Sequence, residues 1–148
     1  MFKYLLTLDL DDRFNYNTIM DTLTSLVVLY RMLNIKTERI RIYISSNKRG
    51  YHFEILVSSP RRLSDIEIVL LQAILGDDPR RSIHNYYKVL NNKPYNVLFN
   101  VKNGKRRIYD KKLSRLVSQL YSIMINFSEK LREKFEEKKE ELFSLFSK

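Results

Sequence analysis

The chain has 148 residues, 44% of them hydrophobic and 30% charged, which is the size and balance of one globular domain with a buried core. It contains no cysteine, so disulfides and thiolate metal sites are excluded and an intracellular protein is indicated. Its 27 Lys and Arg against 17 Asp and Glu give a formal charge of +10. That charge favours a polyanionic partner, nucleic acid first, over a merely solvated surface.

The first residues, Met1-Phe2-Lys3-Tyr4, lack the pattern of a signal peptide. No apolar run approaches the roughly 20 residues that are needed to cross a bilayer. We therefore expect a cytoplasmic protein that does not associate with membranes.

Residues 2–10 (FKYLLTLDL) alternate in the manner of a β-strand. The face predicted to meet the core carries Phe2, Tyr4, Leu6, Leu8 and Leu10. The opposite face carries Asp9, and Asp11 follows with the same parity. After a turn, residues 18–34 have apolar side chains at helical spacing, with Asn17 as the expected N-cap.

Residues 38–46 and 50–58 predict two strands joined by the turn Asn47-Lys48-Arg49. Their predicted inward faces carry Ile40, Ile42, Ile44, Tyr51, Phe53, Ile55 and Val57. Their outward faces carry Arg39, Arg41, Tyr43, His52 and Glu54. If this hairpin adjoins the first strand, His52 and Glu54 share the open face of the sheet with Asp9 and Asp11.

Two more helices follow the hairpin. Ser64 and Glu67 form a capping-box pattern that opens a helix ending near residue 75. Pro79, with Asp78 as N-cap, suits the first turn of a further helix that ends near residue 90.

The remaining residues predict a strand and a long helix. Residues 95–101 (YNVLFNV) have the pattern of a fourth strand of the same sheet, and Asn103-Gly104 makes the turn after it. Residues 110–148 contain no Gly or Pro and have leucines and phenylalanines at helical spacing. They predict one amphipathic helix.

The order β-α-β-β-α-β indicates an α+β fold, ferredoxin-like or RRM-like. Helices would cover one face of an antiparallel sheet, and the other face would stay open. We divide the chain into an RRM-like domain over residues 1–109 and a C-terminal helix over residues 110–148. That helix either belongs to the same domain or pairs with itself or another protein.

The carboxylates of the open face predict a metal site. Mg²⁺ and Mn²⁺ prefer hard oxygen ligands and bridge them to substrate phosphates. Asp9 and Asp11 would supply two such ligands, with Glu54 as the candidate third. The alternative is that an Asp-x-Asp pair at the end of a strand only forms or caps a turn.

His52 and a set of basic and aromatic residues would surround these carboxylates. A histidine beside a carboxylate can contact a phosphate or a sugar hydroxyl, whereas His84 is expected to be a surface or packing residue. Basic clusters suit a phosphate backbone, and a tyrosine can stack on a base. The candidates for nucleic-acid binding are Arg39, Arg41, Tyr43, Arg61, Arg62, Arg80, Arg81, Lys105, Arg106 and Arg107. Each cluster alone could be a solvated face.

Two short motifs carry a resemblance to a known family. Leu8-Asp9-Leu10-Asp11 resembles motif I of the archaeo-eukaryotic primase (primase-polymerase) superfamily. The segment SNKRGYH, residues 46–52, resembles that superfamily's motif II, with asparagine at position 47 where the family usually has glycine. Both motifs stand in the family's order.

The resemblance implies functional roles for these residues. Asp9 and Asp11 would bind the catalytic metal, and Ser46 and His52 would contact the phosphates of an incoming nucleotide. Lys48 and Arg49, in the same segment, are further candidates for binding the nucleotide. The family's third motif has an aspartate on a later strand, where this chain has Asn100 in the predicted fourth strand.

Three classes of function follow. The first is a minimal or degenerate primase-polymerase-like palm in DNA replication, from an archaeal virus or plasmid, hence in the host cytoplasm. It would bind nucleotide and Mg²⁺ or Mn²⁺ and transfer a nucleotide to primer-template or single-stranded DNA. The second is a catalytically inactive module that binds single-stranded nucleic acid. The third is a replication-associated protein that binds partners through its C-terminal helix.

Overall fold

The computed structural model describes residues 1–10, 15–46, 50–96, 101–102 and 105–147, with residues 101, 102 and 105 described in their backbone only. Several candidate residues fall outside this description. They are Asp11, Asn47, Lys48, Arg49 and Asn100, together with the side chain of Lys105.

The described chain contains both helices and strands, which confirms the α+β class. The elements are β1 (Phe2–Leu10), α1 (Tyr16–Leu33), β2 (Lys36–Ile44), β3 (Tyr51–Ser59), α2 (Asp65–Ile74), α3 (Pro79–Leu90), β4 (Val101–Lys102), β5 (Lys105–Arg106), β6 (Ile108–Tyr109) and α4 (Lys111–Phe146). Four strands form an antiparallel sheet in the order β1-β3-β2-β6. Strands β4 and β5 pair separately.

One face of the sheet holds the core, as the alternation of β1, β2 and β3 predicts. Leu8, Ile42 and Phe53 are at most 1% exposed and lie at the same level on three neighbouring strands. Buried side chains of α1, α2 and α4 join the same cluster. At the start of β1 the prediction is wrong, because Phe2 is 41% exposed and contacts the guanidinium of Arg62.

The helix starts follow their capping residues. Ser64 forms the expected capping box, and Asp78 caps α3 with a proline in its first turn. Helix α1 begins earlier than expected because Asn15, and not Asn17, accepts a hydrogen bond from the backbone N–H of Thr18 at 2.9 Å. Both asparagines suit an N-cap, so local sequence did not decide between them.

The predicted fourth strand, residues 95–101, lies mostly outside the described residues, at 97–100. Tyr95 and Asn96 are in neither strand nor helix, and Val101–Lys102 pairs with Lys105–Arg106 in a separate two-stranded sheet. The fourth strand of the main sheet is β6, at the β2 edge. The described residues therefore do not confirm the ferredoxin-like order, in which the last strand lies beside β1.

The edge of β1 explains this difference. The backbone N–H of Thr7 donates to Gln72 Oε1 at 2.9 Å, and the N–H of Asp9 donates to Asp77 Oδ1 at 2.8 Å. The carbonyl oxygens of the same two residues accept from Arg81 and from the backbone N–H of Asp78. Because α2, α3 and their connection satisfy these groups, no strand can pair with Thr7 and Asp9.

Helix α4 packs on the domain only through its first half. Ser114 and Val117 are buried, and Ser114 Oγ accepts from the backbone N–H of Ile42 at 2.9 Å. Arg31 of α1 forms an ion pair with Glu129 at 2.8 Å. Residues 130–147 are all exposed. Among the described helices, none is long and apolar enough to span a membrane.

Candidate functional site

Strand register brings the predicted polar residues together on the face of the sheet opposite the core. His52 of β3 lies directly between Asp9 of β1 and Tyr43 of β2. In the next row on this face, Glu54 lies beside Arg41. The convergence that alternation predicts therefore holds for every one of these residues that the structure describes.

Asp9 and His52 form the centre of this face. His52 Nε2 lies 3.7 Å from Asp9 Oδ1, which is longer than a hydrogen bond. The His52 side chain is 8% exposed, whereas that of Asp9 is 24% exposed. The position of Asp9 is fixed by two backbone hydrogen bonds: its N–H donates to the Asp77 side chain, and its carbonyl oxygen accepts from the N–H of Asp78. A small ligand can reach the carboxylate of Asp9 more easily than the ring of His52.

His52 is uncharged near neutral pH. Burial first, and then the positive charges of Arg107 and Arg81, lower its pKa from 6.5 to about 4, against an opposing effect of Glu54. A neutral imidazole has one nitrogen that donates a hydrogen bond and one that accepts. His52 can therefore contact a ligand without adding charge to the site.

The face is not open around His52, contrary to the expectation. Arg107, between β5 and β6, reaches over the sheet, where it forms an ion pair with Glu54 at 2.7 Å. Its guanidinium also lies 3.9 Å from the centre of the Tyr43 ring, and Tyr109 packs against that ring at 5.3 Å. The cover comes from the residues that were expected to follow the fourth strand, so alternation within strands could not predict it.

Arg81 closes the other side of the site. It forms an ion pair with Asp77 at 2.9 Å and donates to Thr7 Oγ1 at 2.7 Å. Burial raises the pKa of Asp77, and the charge of Arg81 opposes that shift. Arg81, a candidate for nucleic-acid binding, is thus engaged within the fold, and Asp77 and Thr7 belong to the site although no sequence motif marks them. The bonds of Arg81 to Asp77 and Thr7 connect the region of α2 and α3 to β1. Thr7 is far from the other two residues in the sequence, so no local sequence pattern predicts these contacts.

Three buried nitrogen atoms near this centre have no hydrogen-bond partner among the described residues. They are His52 Nδ1, Arg81 Nε and Arg107 Nη1. Both arginines are close enough to His52 to lower its pKa. Buried N–H donors without a partner are costly, and the oxygen atoms of an anion would satisfy them.

The other predicted binding residues fall into two groups. Arg61 pairs with Glu67, so its guanidinium already has an anionic partner. Among the described residues, no carboxylate lies within ion-pair distance of the exposed residues Arg39, Arg41, Arg80 and Arg106. Ser46 is buried at the end of the β2–β3 hairpin, and His84 is exposed on α3.

The described residues contain no group of three His, Asp or Glu side chains that could hold a metal ion. Glu54 is engaged by Arg107, so it is a poor candidate for a metal ligand. Asp9 remains partly exposed and fits a site that Mg²⁺ completes with nucleotide phosphates, since Mg²⁺ often uses only one or two carboxylates.

Family models, curated proteins and solved structures give no match to this chain. The interpretation of the site consequently depends on its residues and their geometry.

Proposed function

We propose that the chain is a primase-polymerase-like palm that binds a nucleotide together with Mg²⁺ or Mn²⁺ at Asp9 and His52. It would act on single-stranded or primer-template DNA in replication, in the cytoplasm of a host cell if a virus or plasmid encodes it. The observation that carries this proposal is the direct cross-strand pairing of Asp9 with His52. Asp9 and His52, one from each short motif, are 43 positions apart in the sequence and are neighbours across the two strands.

The electrostatics support an anionic ligand here. Arg81 and Arg107 flank His52, and each has one carboxylate partner and one buried nitrogen without a partner among the described residues. A guanidinium presents five N–H donors and can bind carboxylate and phosphate at the same time. His52 adds a neutral ring between them. This set suits the phosphates of a nucleotide.

The metal would be held by Asp9, with Asp11 and the nucleotide's phosphate oxygens as the further ligands. When bound, it neutralises phosphate charge and supports attack by a 3′-hydroxyl. Asp9 orients the metal because β1 is fixed at its edge by Asp77. The fold would be a variant of the ferredoxin-like arrangement, in which β1, β3 and β2 keep their order while β6 takes the β2 edge.

The test compares the wild type with Asp9→Asn. The control is Asp21→Asn, which makes the same change at an exposed position of α1, on the core side of the sheet. Binding of a deoxynucleoside triphosphate is measured with Mn²⁺ and with chelator, followed by incorporation on primed and unprimed single strands. We expect metal-dependent binding and incorporation in the wild type and in Asp21→Asn only. Absence of both in the wild type, or their persistence in Asp9→Asn, would contradict the proposal.

A second candidate is a module that binds single strands without catalysis. The ion pair of Arg107 with Glu54 favours it, because that pair removes one carboxylate from the potential metal site. Tyr43 and Tyr109 form an aromatic pair beside the exposed Arg41. Stacking surfaces next to positive charge are typical of sequence-tolerant strand binding.

This candidate predicts strand binding that needs no metal and weakens as salt rises. Tyr109→Ala and Arg41→Ala should each weaken the binding of a labelled single strand in chelator. Arg115→Ala, at an exposed position on α4, is the matched control. If Asp9→Asn leaves strand binding unchanged and no incorporation is found, this function replaces the first.

A further inference from the structure

From Ile123 onward, α4 carries exposed apolar side chains that no described residue covers. We call Ile123, Phe127, Leu131, Phe135, Leu142 and Phe146 the apolar stripe. Their exposed fractions run from 52% at Leu142 to 80% at Phe146. Spacings of three, four or seven residues keep them on one side of a helix.

This surface is large enough for a specific interface. With aromatic side chains of about 150–250 Å² each, the apolar stripe exposes on the order of 600–700 Å² per copy. Two such surfaces reach the low end of the roughly 1,200–2,000 Å² that stable protein interfaces bury. Most of the stability of a helix in a protein comes from the packing of its apolar face, so a partner would also stabilise the exposed half of α4.

Charges beside the stripe indicate what the partner is. Lys130, Lys134, Glu137 and Glu141 follow one another at spacings of four, three and four residues, so they form one row along the helix. The row is positive in its first half and negative in its second. Such a row is complementary to itself when two copies run in opposite directions.

We propose that a second copy of the chain covers the apolar stripe, in an antiparallel helix pair centred near Phe135. This register sets Lys130 opposite Glu141 of the other copy, and Lys134 opposite its Glu137. The opposite flank of the helix carries Arg132 and Lys139, which are both positive and form no such pair. The row of Lys and Glu residues alone therefore favours the antiparallel direction.

The same register brings the apolar residues close together. Phe135 meets Phe135 of the second copy near the two-fold axis, and Phe127 lies two residues, about 3 Å along the helix, from the level of Leu142. Lys138 fills the one polar position of the stripe, at the same offset from Leu131 of the second copy. Its aliphatic stem can cover that leucine while the ammonium stays in water.

Sedimentation equilibrium on the full chain tests the association. We expect a wild-type mass that approaches twice 17.9 kDa as the protein concentration rises. Phe135→Asp should be monomeric. Phe143→Asp is the matched control, since Phe143 is similarly exposed, at 59% against 66%, but lies about 100° around the helix from Leu142. A wild type that stays monomeric throughout, or two variants that lose the dimer equally, would overturn the proposal.

The direction of the pair has its own test. Because the chain has no cysteine, Lys130→Cys and Glu141→Cys variants can be mixed and treated with a short thiol cross-linker. The antiparallel pair predicts cross-links between the two variants, and links only between identical variants would overturn it. Lys134→Glu should weaken the dimer, and adding Glu137→Lys should restore it. If the double variant is no tighter than the single one, the charge argument is wrong.

Discussion

His52 lies opposite Asp9 with its Nε2 3.7 Å from the carboxylate oxygen, yet its pKa is lowered rather than raised. A neighbouring carboxylate by itself would stabilise the charged imidazolium. Burial and the charges of Arg107 and Arg81 outweigh the opposing effect of the Glu54 carboxylate. The site therefore has a neutral histidine, and its positive charge lies on two arginines that each have one carboxylate partner.

The stability of the protein should fall as pH is lowered through the window between 6.5 and about 4. In that window the unfolded chain binds a proton at His52 and the folded chain does not, so acid favours unfolding. The His52 contribution amounts to about 2 kcal/mol between pH 7 and pH 5. Urea unfolding at both pH values measures it, with His52→Gln as the comparison. If both proteins lose the same stability, His52 is not the group responsible.

Arg107→Gln should raise the pKa of His52 toward its ordinary value, because the substitution removes a nearby positive charge. NMR titration can follow this directly, since the chain has only two histidines and the exposed His84 serves as an internal reference. Arg106→Gln, at the exposed neighbouring position, is the control and should leave His52 unchanged. An unshifted His52 in Arg107→Gln would show that the charge of Arg107 does not lower the pKa.

Gln72 should be important for stability although it lies far from the site in sequence. Its side chain is fully buried, accepts from the N–H of Thr7 and donates to Asn96 Oδ1 at 2.6 Å. Gln72→Leu leaves the N–H of Thr7 without a partner and removes one of the two donors to Asn96 Oδ1, so it should cost about 1–3 kcal/mol. Gln119→Leu, at an exposed position of α4, should change the free energy of unfolding little. Equal urea midpoints for the two variants would contradict this role.

Much of the site could be predicted because strand alternation is a local property. Period-two patterns placed Asp9, His52 and Glu54 on one face, and the register confirms that they are neighbours. The sequence could not predict that Arg107 covers that face. Arg107 contacts Glu54, which is 53 residues away in the chain, and such contacts depend on tertiary packing that no local pattern contains.

The strand order of the sheet could not be predicted for a related reason. Residues 95–101 have a strand-like pattern, but a strand also needs a free edge to pair with. The edge of β1 at Thr7 and Asp9 is occupied by Gln72, Asp77, Asp78 and Arg81. The pattern around Asp77 and Asp78 indicated only a helix cap, so the second role of this segment was not visible in the sequence.

The most direct test of the proposed site uses Mn²⁺ as a paramagnetic probe in NMR. With Mn²⁺ and a deoxynucleoside triphosphate present, the ring signals of His52 should broaden while those of His84 stay sharp. The broadening should disappear in Asp9→Asn and persist in Asp21→Asn. If the two histidines are affected alike, or if Asp9→Asn broadens like the wild type, then Asp9 and His52 do not form a metal–nucleotide site.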